Sequence, residues 1–187
     1  IYIYFNYNFY FSNFILFIMP IKVRKAKTAK GARILRKREP KAIEDEKKAV
    51  FFKTTTASSL INNVLVDFCA LKKPEGKLLT HRNPLMPFED SSSVEFLTQV
   101  NDSSLFMIGS HSKKRPQALT IGRTFDGQIL DMMEFLVDPT SFRSIQALSS
   151  TRQSIARLGA KPLLLFVGDA FELSDDLKKF KSLMTDF

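Results

Sequence analysis

The chain has 187 residues, with 28 Lys and Arg against 19 Asp and Glu, and a net charge of +9. A single cysteine, Cys69, excludes an internal disulfide, and His81 and His111 lack metal-ligand spacing, so neither a disulfide framework nor a zinc site is expected. The seven glycines form no G-x-x-x-x-G-K or G-x-G-x-x-G phosphate loop, and no cofactor is expected.

Residues 1–18 carry no charge and hold all four tyrosines, five phenylalanines, four isoleucines and Asn6, Asn8 and Asn13. The asparagines interrupt what would otherwise approach a membrane-spanning run, and no small-residue cleavage site follows. Ile, Tyr, Phe and Asn share AT-rich codons, and Met19-Pro20 opens an ordinary basic sequence. Residues 1–18 are therefore read as a non-native extension ahead of a start at Met19.

Residues 19–48 read as a basic arm. Lys22, Arg24, Lys25, Lys27, Lys30, Arg33, Arg36, Lys37 and Arg38 fall between Met19 and Arg38 with no acid among them. These nine cations equal the whole net excess, and the remaining charges balance at 19 against 19. A neutral domain with a basic arm suits binding to an acidic polymer, and the same run resembles a nuclear-import signal. Residues 29–38 fit a helix that Pro40 would stop.

Residues 49–52 read as a first buried strand. Over 58–71, Leu60, Val64 and Phe68 recur at i, i+4, which predicts an amphipathic helix ended by Lys72-Lys73-Pro74 and Gly76. Cys69 falls on it as a small buried hydrophobe. Residues 78–90, with Pro84 and Pro87, read as an ordered loop. Ser92 and Glu95 have capping-box spacing and start a short helix with Val94, Leu97 and Val100 inward. Residues 105–109 are a buried strand, followed by Lys113, Lys114, Arg115 and Pro116 on a loop.

Asp126-Gly127 predicts a hairpin between strands 117–125 and 128–137, the second narrowly preferred over a helix. Residues 139–161 remain unassigned, and 163–167 read as another buried strand. Ser174 caps a last helix whose apolar face, Leu177, Phe180, Met184 and Phe187, is expected to lack a counter-surface within this chain. The fold class is α/β: a mixed sheet packed by helices in one layer.

The three adjacent cations after a strand suit phosphate contact, as does the Lys72-Lys73 pair, though each also reads as ordinary solvated charge or helix-end stabilisation. Glu89, Asp90, Asp102, Asp126 and Asp131, with His111 as a possible base, offer no spacing that fixes a catalytic geometry. Asp126 suits the turn, Glu95 and Asp90 suit helix caps, and His111 suits a hydrogen-bond donor to RNA or backbone. The chain is not expected to be an enzyme.

Several segments, in consistent order over residues 33–187, resemble the Brix-domain family, and within it the nucleolar assembly factors of the large ribosomal subunit. They are Arg36-Lys37-Arg38-Glu39-Pro40, Ala70-Leu71-Lys72-Lys73-Pro74, Pro87-Phe88-Glu89-Asp90, residues 105–116, Ile121-Gly122-Arg123, Leu130-Asp131-Met132-Met133-Glu134, and Lys161-Pro162 through Gly168-Asp169. The Gly-Ser-His-Ser-Lys-Lys-Arg-Pro stretch is the strongest.

The resemblance implies a fold of two similar α/β halves, each related to an anticodon-binding domain, of which residues 49–187 would be the first. It implies binding of 5S and large-subunit rRNA and support of rRNA maturation. It further implies work with a companion regulator of ribosome synthesis and two 5S-associated ribosomal proteins in the nucleus and nucleolus, without a membrane. Arg123 joins the basic residues above as an expected RNA contact. The alternative is a small-subunit or other Brix-type factor acting mainly through protein contacts. The first 18 residues, a polar insertion around 149–160 and the missing second half depart from the family pattern.

Overall fold

Strands at Ala49–Thr54 (β1), Gly76–Asn83 (β2), Leu105–Ser110 (β3), Ala118–Phe125 (β4) and Gln128–Leu136 (β5) make one sheet in the computed structural model. The structure describes residues 26–37, 39, 42–43, 46–148, 159 and 163–187. The expected extension over 1–18, Lys22, Arg24, Lys25 and Arg38 lie outside these residues, as does the 149–160 insertion apart from Gly159. Two compact units are separated, Ile1–Lys41 and Ala42–Phe187.

In the first unit, Ala29–Lys37 forms helix α1, with the Thr28 hydroxyl accepting the Gly31 N–H at 3.1 Å at its start. That bond satisfies one of the unpaired first-turn donors. None of its residues is buried.

In the second unit the strand order is β2-β1-β3-β4-β5. β1 runs parallel to β2 and β3, and β3, β4 and β5 are successively antiparallel. This is the expected α/β class with a mixed sheet. Helices α2 (Ser59–Leu71) and α3 (Ser92–Asn101) follow β1 and β2.

The helices cover both faces rather than the one expected. Ala49, Phe51, Leu105, Met107, Leu119 and Ile121 pack with Ile61, Val64 and Leu65 of α2. Val50, Phe52, Phe106 and Ile108 point the other way, onto Leu85 and Val94. Alternate strand residues face opposite sides, so two covered faces require unbroken apolar runs in β1 and β3. Each fully buried Phe or Ile contributes about 1.5–3 kcal/mol relative to exposure.

Two glycines set the spacing of these layers. A Cβ on Gly109 would lie 2.2 Å from Ile61 Cγ2, so its absence lets α2 rest on β3. A Cβ on Gly122 would lie 2.3 Å from the Phe106 ring, which fills that space instead.

Four local expectations change. Residues 76–83, mostly within the expected loop, are edge strand β2; apart from Leu78 and Leu79 it has no apolar side chain and gives no alternation, and pairing with β1 makes the strand. The capping box does not form: Glu95 accepts the Ile129 N–H at 3.1 Å, and Ser92 N–H goes to Asp90 Oδ1 at 3.0 Å. Within α3, Thr98 is buried where Val100 was expected, and Val100 is exposed. Residues 163–167 join no sheet, and Leu163, Leu165 and Val167 are exposed.

Short helices α4 (Ile145–Leu148) and α5 (Ala170–Leu173) precede α6 (Asp175–Asp186). Ser174 is the N-cap residue of α6 but makes no side-chain cap bond. The apolar face of α6 finds its counter-surface in this chain. Leu183 is buried, Met184 and Phe187 pack on the α2-side core, and Phe180 stands 5.0 Å edge-on to Phe135.

Candidate nucleic-acid interface

Because β1, β2 and β3 are parallel, their carboxyl ends lie at one end of the sheet. The loops 55–58, 84–91 and 111–117 therefore gather there. Open α/β sheets bind ligands in this position.

Loop 111–117 is anchored at several points. Ser112 N–H donates to the Arg115 carbonyl at 3.1 Å, and Arg115 N–H returns to the Ser112 hydroxyl at 3.0 Å. Gln117 adopts φ 52°, and its side-chain oxygen accepts the Ser58 hydroxyl. Ser58 also accepts the Ile61 N–H at 3.3 Å, so the start of α2 is tied to the loop. His111 Nδ1 accepts the Gln117 N–H at 3.2 Å. His111 thus serves the backbone as an acceptor at Nδ1, which leaves the other ring nitrogen to donate.

On this frame Lys113, Lys114 and Arg115 are all exposed. Arg115 pairs with Glu134 of β5 at 3.2 Å and lies 6.0 Å from the Phe88 ring centroid. A guanidinium over a ring at this distance gains modest attraction, so Phe88 and Glu134 position it. Lys113 and Lys114 make no ion pair among the described residues.

Lys72 and Lys73 stand elsewhere. They follow the 13 residues of α2, about 20 Å from its start at 1.5 Å per residue. Lys72 Nζ donates to the Phe187 carbonyl at 2.5 Å. Burial, the largest influence, holds the Lys72 pKa below the ordinary lysine value, against the pull of Glu46. Lys73 is exposed beside a groove of about 400 Å³ that Lys47, Met184 and Phe187 also line.

Arg123 is held by partners within the chain. Its Nε and Nη2 donate to Asp131 at 2.7 and 2.6 Å, and Nη1 to Asp186 at 2.5 Å and to the Ser182 hydroxyl at 3.2 Å. Hydrogen bonds to Asp131, then to Asp186, raise its pKa further above the arginine value. The side chain is a strap between β4, β5 and α6, with its donors turned to protein carboxylates.

The arm cations Lys27, Lys30, Arg33, Arg36 and Lys37 are exposed in the first unit. Three of the carboxylates weighed as acid–base groups have structural partners: Asp90 with Ser92, Asp102 with Lys48 at 3.0 Å, and Asp131 with Arg123. Asp126 takes φ 50° in the hairpin turn. Among the described residues, no group of three His, Cys, Asp or Glu is placed to hold a metal ion.

The Brix domain family model matches residues 54–187. This chain belongs to the Brix-domain family. It is 43% identical over 166 residues to the ribosome production factor 2 homologs of mouse and human, covering 89% of this chain and 53% of each relative. The Arabidopsis thaliana homolog is 36% identical over 169 residues, again 89% and 53% of the two lengths. The chain thus spans about half the length of the curated relatives it matches.

The sequence missed Phe88 and Glu134 as partners of Arg115. Glu134 is two strands away from the loop's own strand, and only the β3–β4–β5 ladder brings it near. The run Asp131-Met132-Met133-Glu134 by itself favours a helix, and nothing in it says which loop Glu134 meets.

Proposed function

We propose that this Brix-domain chain acts in ribosome assembly as a non-catalytic module that binds rRNA phosphates at the carboxyl end of its sheet. The large ribosomal subunit is the particle, and 5S rRNA with its two ribosomal proteins is the cargo whose recruitment it assists. Large-subunit rRNA is a further contact, a companion regulator of ribosome synthesis is the protein partner, and the nucleus and nucleolus are the sites of action.

The observation that carries this reading is the anchored loop with Lys113, Lys114 and Arg115 in succession. Adjacent exposed lysines repel one another and gain from a polyanion, whose bound counterions they release. Similarity to ribosome production factor 2 homologs supports the ribosomal setting.

The test is the salt dependence of binding to a 5S rRNA transcript. Each phosphate contact contributes about 0.7–0.9 to the slope of log affinity against log salt. Lys113 and Lys114 account for about 1.4–1.8, and Arg115 for less than a full contact because Glu134 already partly neutralises it. Lys113→Ala/Lys114→Ala/Arg115→Ala should therefore flatten the slope by about 2 while the protein stays folded. An unchanged slope in the folded variant would remove the loop from RNA binding.

A second reading, docking mainly through protein contacts, has its own observation: Leu163, Leu165, Val167 and Leu173 are all exposed. Binding through such apolar area would change little with salt.

A further inference from the structure

On β1 and β2, Lys53 and Arg82 are register partners in the parallel ladder. Like charges side by side on neighbouring strands repel, and a fold keeps such a pair most easily when an anion sits between or above it. Lys53 shares its register row with Gly109, immediately before the cationic loop on the next strand.

Local bonds link Arg82 to that loop through the segment that follows Lys53. Arg82 Nη1 donates to the Thr55 carbonyl at 3.1 Å, fixing the guanidinium on the 55–58 segment. That segment ends at Ser58, whose hydroxyl meets Gln117 of the cationic loop. The order across the sheet end is therefore Arg82, the 55–58 segment with Lys53 at its root, then residues 111–117. None of the segments 53–58, 80–84 and 109–118 contains an acid. Among the described residues, neither Lys53 nor Arg82 forms an ion pair, and a guanidinium with one donor bound to a carbonyl has others to offer.

We propose that Lys53 and Arg82 form a second phosphate-contacting pair, which extends the cationic loop along the carboxyl end of β1 and β2. An RNA backbone is then followed across three strands rather than gripped at one loop. The chemistry recognised is successive phosphodiesters, with no base reading. This inference rests on the proposed RNA reading and assigns Arg82, which the sequence had left in a loop, and Lys53, which follows the strand read at 49–52.

The experiment uses the full chain and a 5S rRNA transcript. Lys53→Gln/Arg82→Gln should flatten the salt slope by about 1.4–1.8, on top of the loop variant's loss when the two are combined. In parallel, the unsubstituted protein is acetylated with and without RNA and read by mass spectrometry. Lys53 should be protected, whereas Lys77, at the opposite end of β2, should not.

A loop variant that flattens the slope beside a folded pair variant that does not would overturn this inference and leave the RNA reading standing. Failure of both variants to change the slope would overturn the two together. Should the pair variant not fold, equal acetylation of Lys53 with and without RNA would overturn the inference, and protection would uphold it.

Discussion

Replacing Arg123 with Met separates a structural residue from an RNA contact. The guanidinium makes two bonds to Asp131, one to Asp186 and one to Ser182, with its side chain 23% exposed and those of Asp131 and Asp186 36% and 23% exposed. A fully exposed ion pair contributes about 0–1 kcal/mol, and removing one partner of a buried pair costs about 3–5 kcal/mol. This half-buried strap falls between, so Arg123→Met should cost about 2 kcal/mol. For a domain of this size that is a fall in melting temperature of roughly 4–8 °C.

Thermal and urea unfolding measure the loss, and the salt slope for RNA is recorded on the same samples. The slope should not move. A variant of unchanged stability with a slope lower by about 0.7–0.9 would refute the strap and restore Arg123 as a phosphate contact.

The same site has a pH signature. Burial pushes the Asp186 pKa up, but hydrogen bonds from Lys47 and Arg123 outweigh it and hold the carboxyl below its ordinary value. A depressed folded pKa means that the folded state binds the proton less readily than the unfolded one. The stabilisation is complete above the unfolded value of about 3.9 and is lost as pH falls through the folded value. The stability gap between the unsubstituted protein and Arg123→Met should therefore narrow below about pH 4, and a constant gap would contradict the assignment.

Gly122→Ala should destabilise by about 1–3 kcal/mol, because its methyl meets the Phe106 ring and the Asp131 carbonyl; urea unfolding checks this. The Cys69 thiol, whose pKa burial raises against the pull of Lys73, should alkylate far more slowly at pH 8 in the native protein than in urea. Deleting residues 21–38 removes nine cations and should weaken binding to any RNA and reduce nuclear accumulation. Unaltered affinity after that deletion would exclude the arm.

What could be read from residues alone divides along physical lines. β1 and β3 were legible because central strands covered on both faces must be apolar throughout, and Asp126-Gly127 announced its hairpin through turn chemistry. Residues 163–167 carry the same apolar signal as β3, yet a strand exists only with a partner strand, and none pairs with them among the described residues. β2 is the converse, a strand made by backbone pairing with side chains that say little. The Ser92–Glu95 spacing was present without the box because Glu95 found a stronger claim in the Ile129 N–H of the hairpin.

The interface was half legible. Lys113, Lys114 and Arg115 stand together in the sequence and together on the loop. Arg123 looked like one more cation until α6 and β5 brought two carboxylates to it. Lys72 and Lys73 sit at the far end of α2 for a simple geometric reason: a helix that follows a strand runs back along it. Lys53 and Arg82 meet only through the β1–β2 register, which no local pattern announces.

Ultraviolet cross-linking of the full chain to a 5S rRNA transcript, with cross-linked peptides identified by mass spectrometry, tests the phosphate-binding end most directly. Cross-links should fall in peptides covering residues 111–117 and those bearing Lys53 and Arg82, and they should fade as salt is raised. Cross-links confined to α6 and residues 163–167, insensitive to salt, would contradict an RNA surface at the carboxyl end of the sheet.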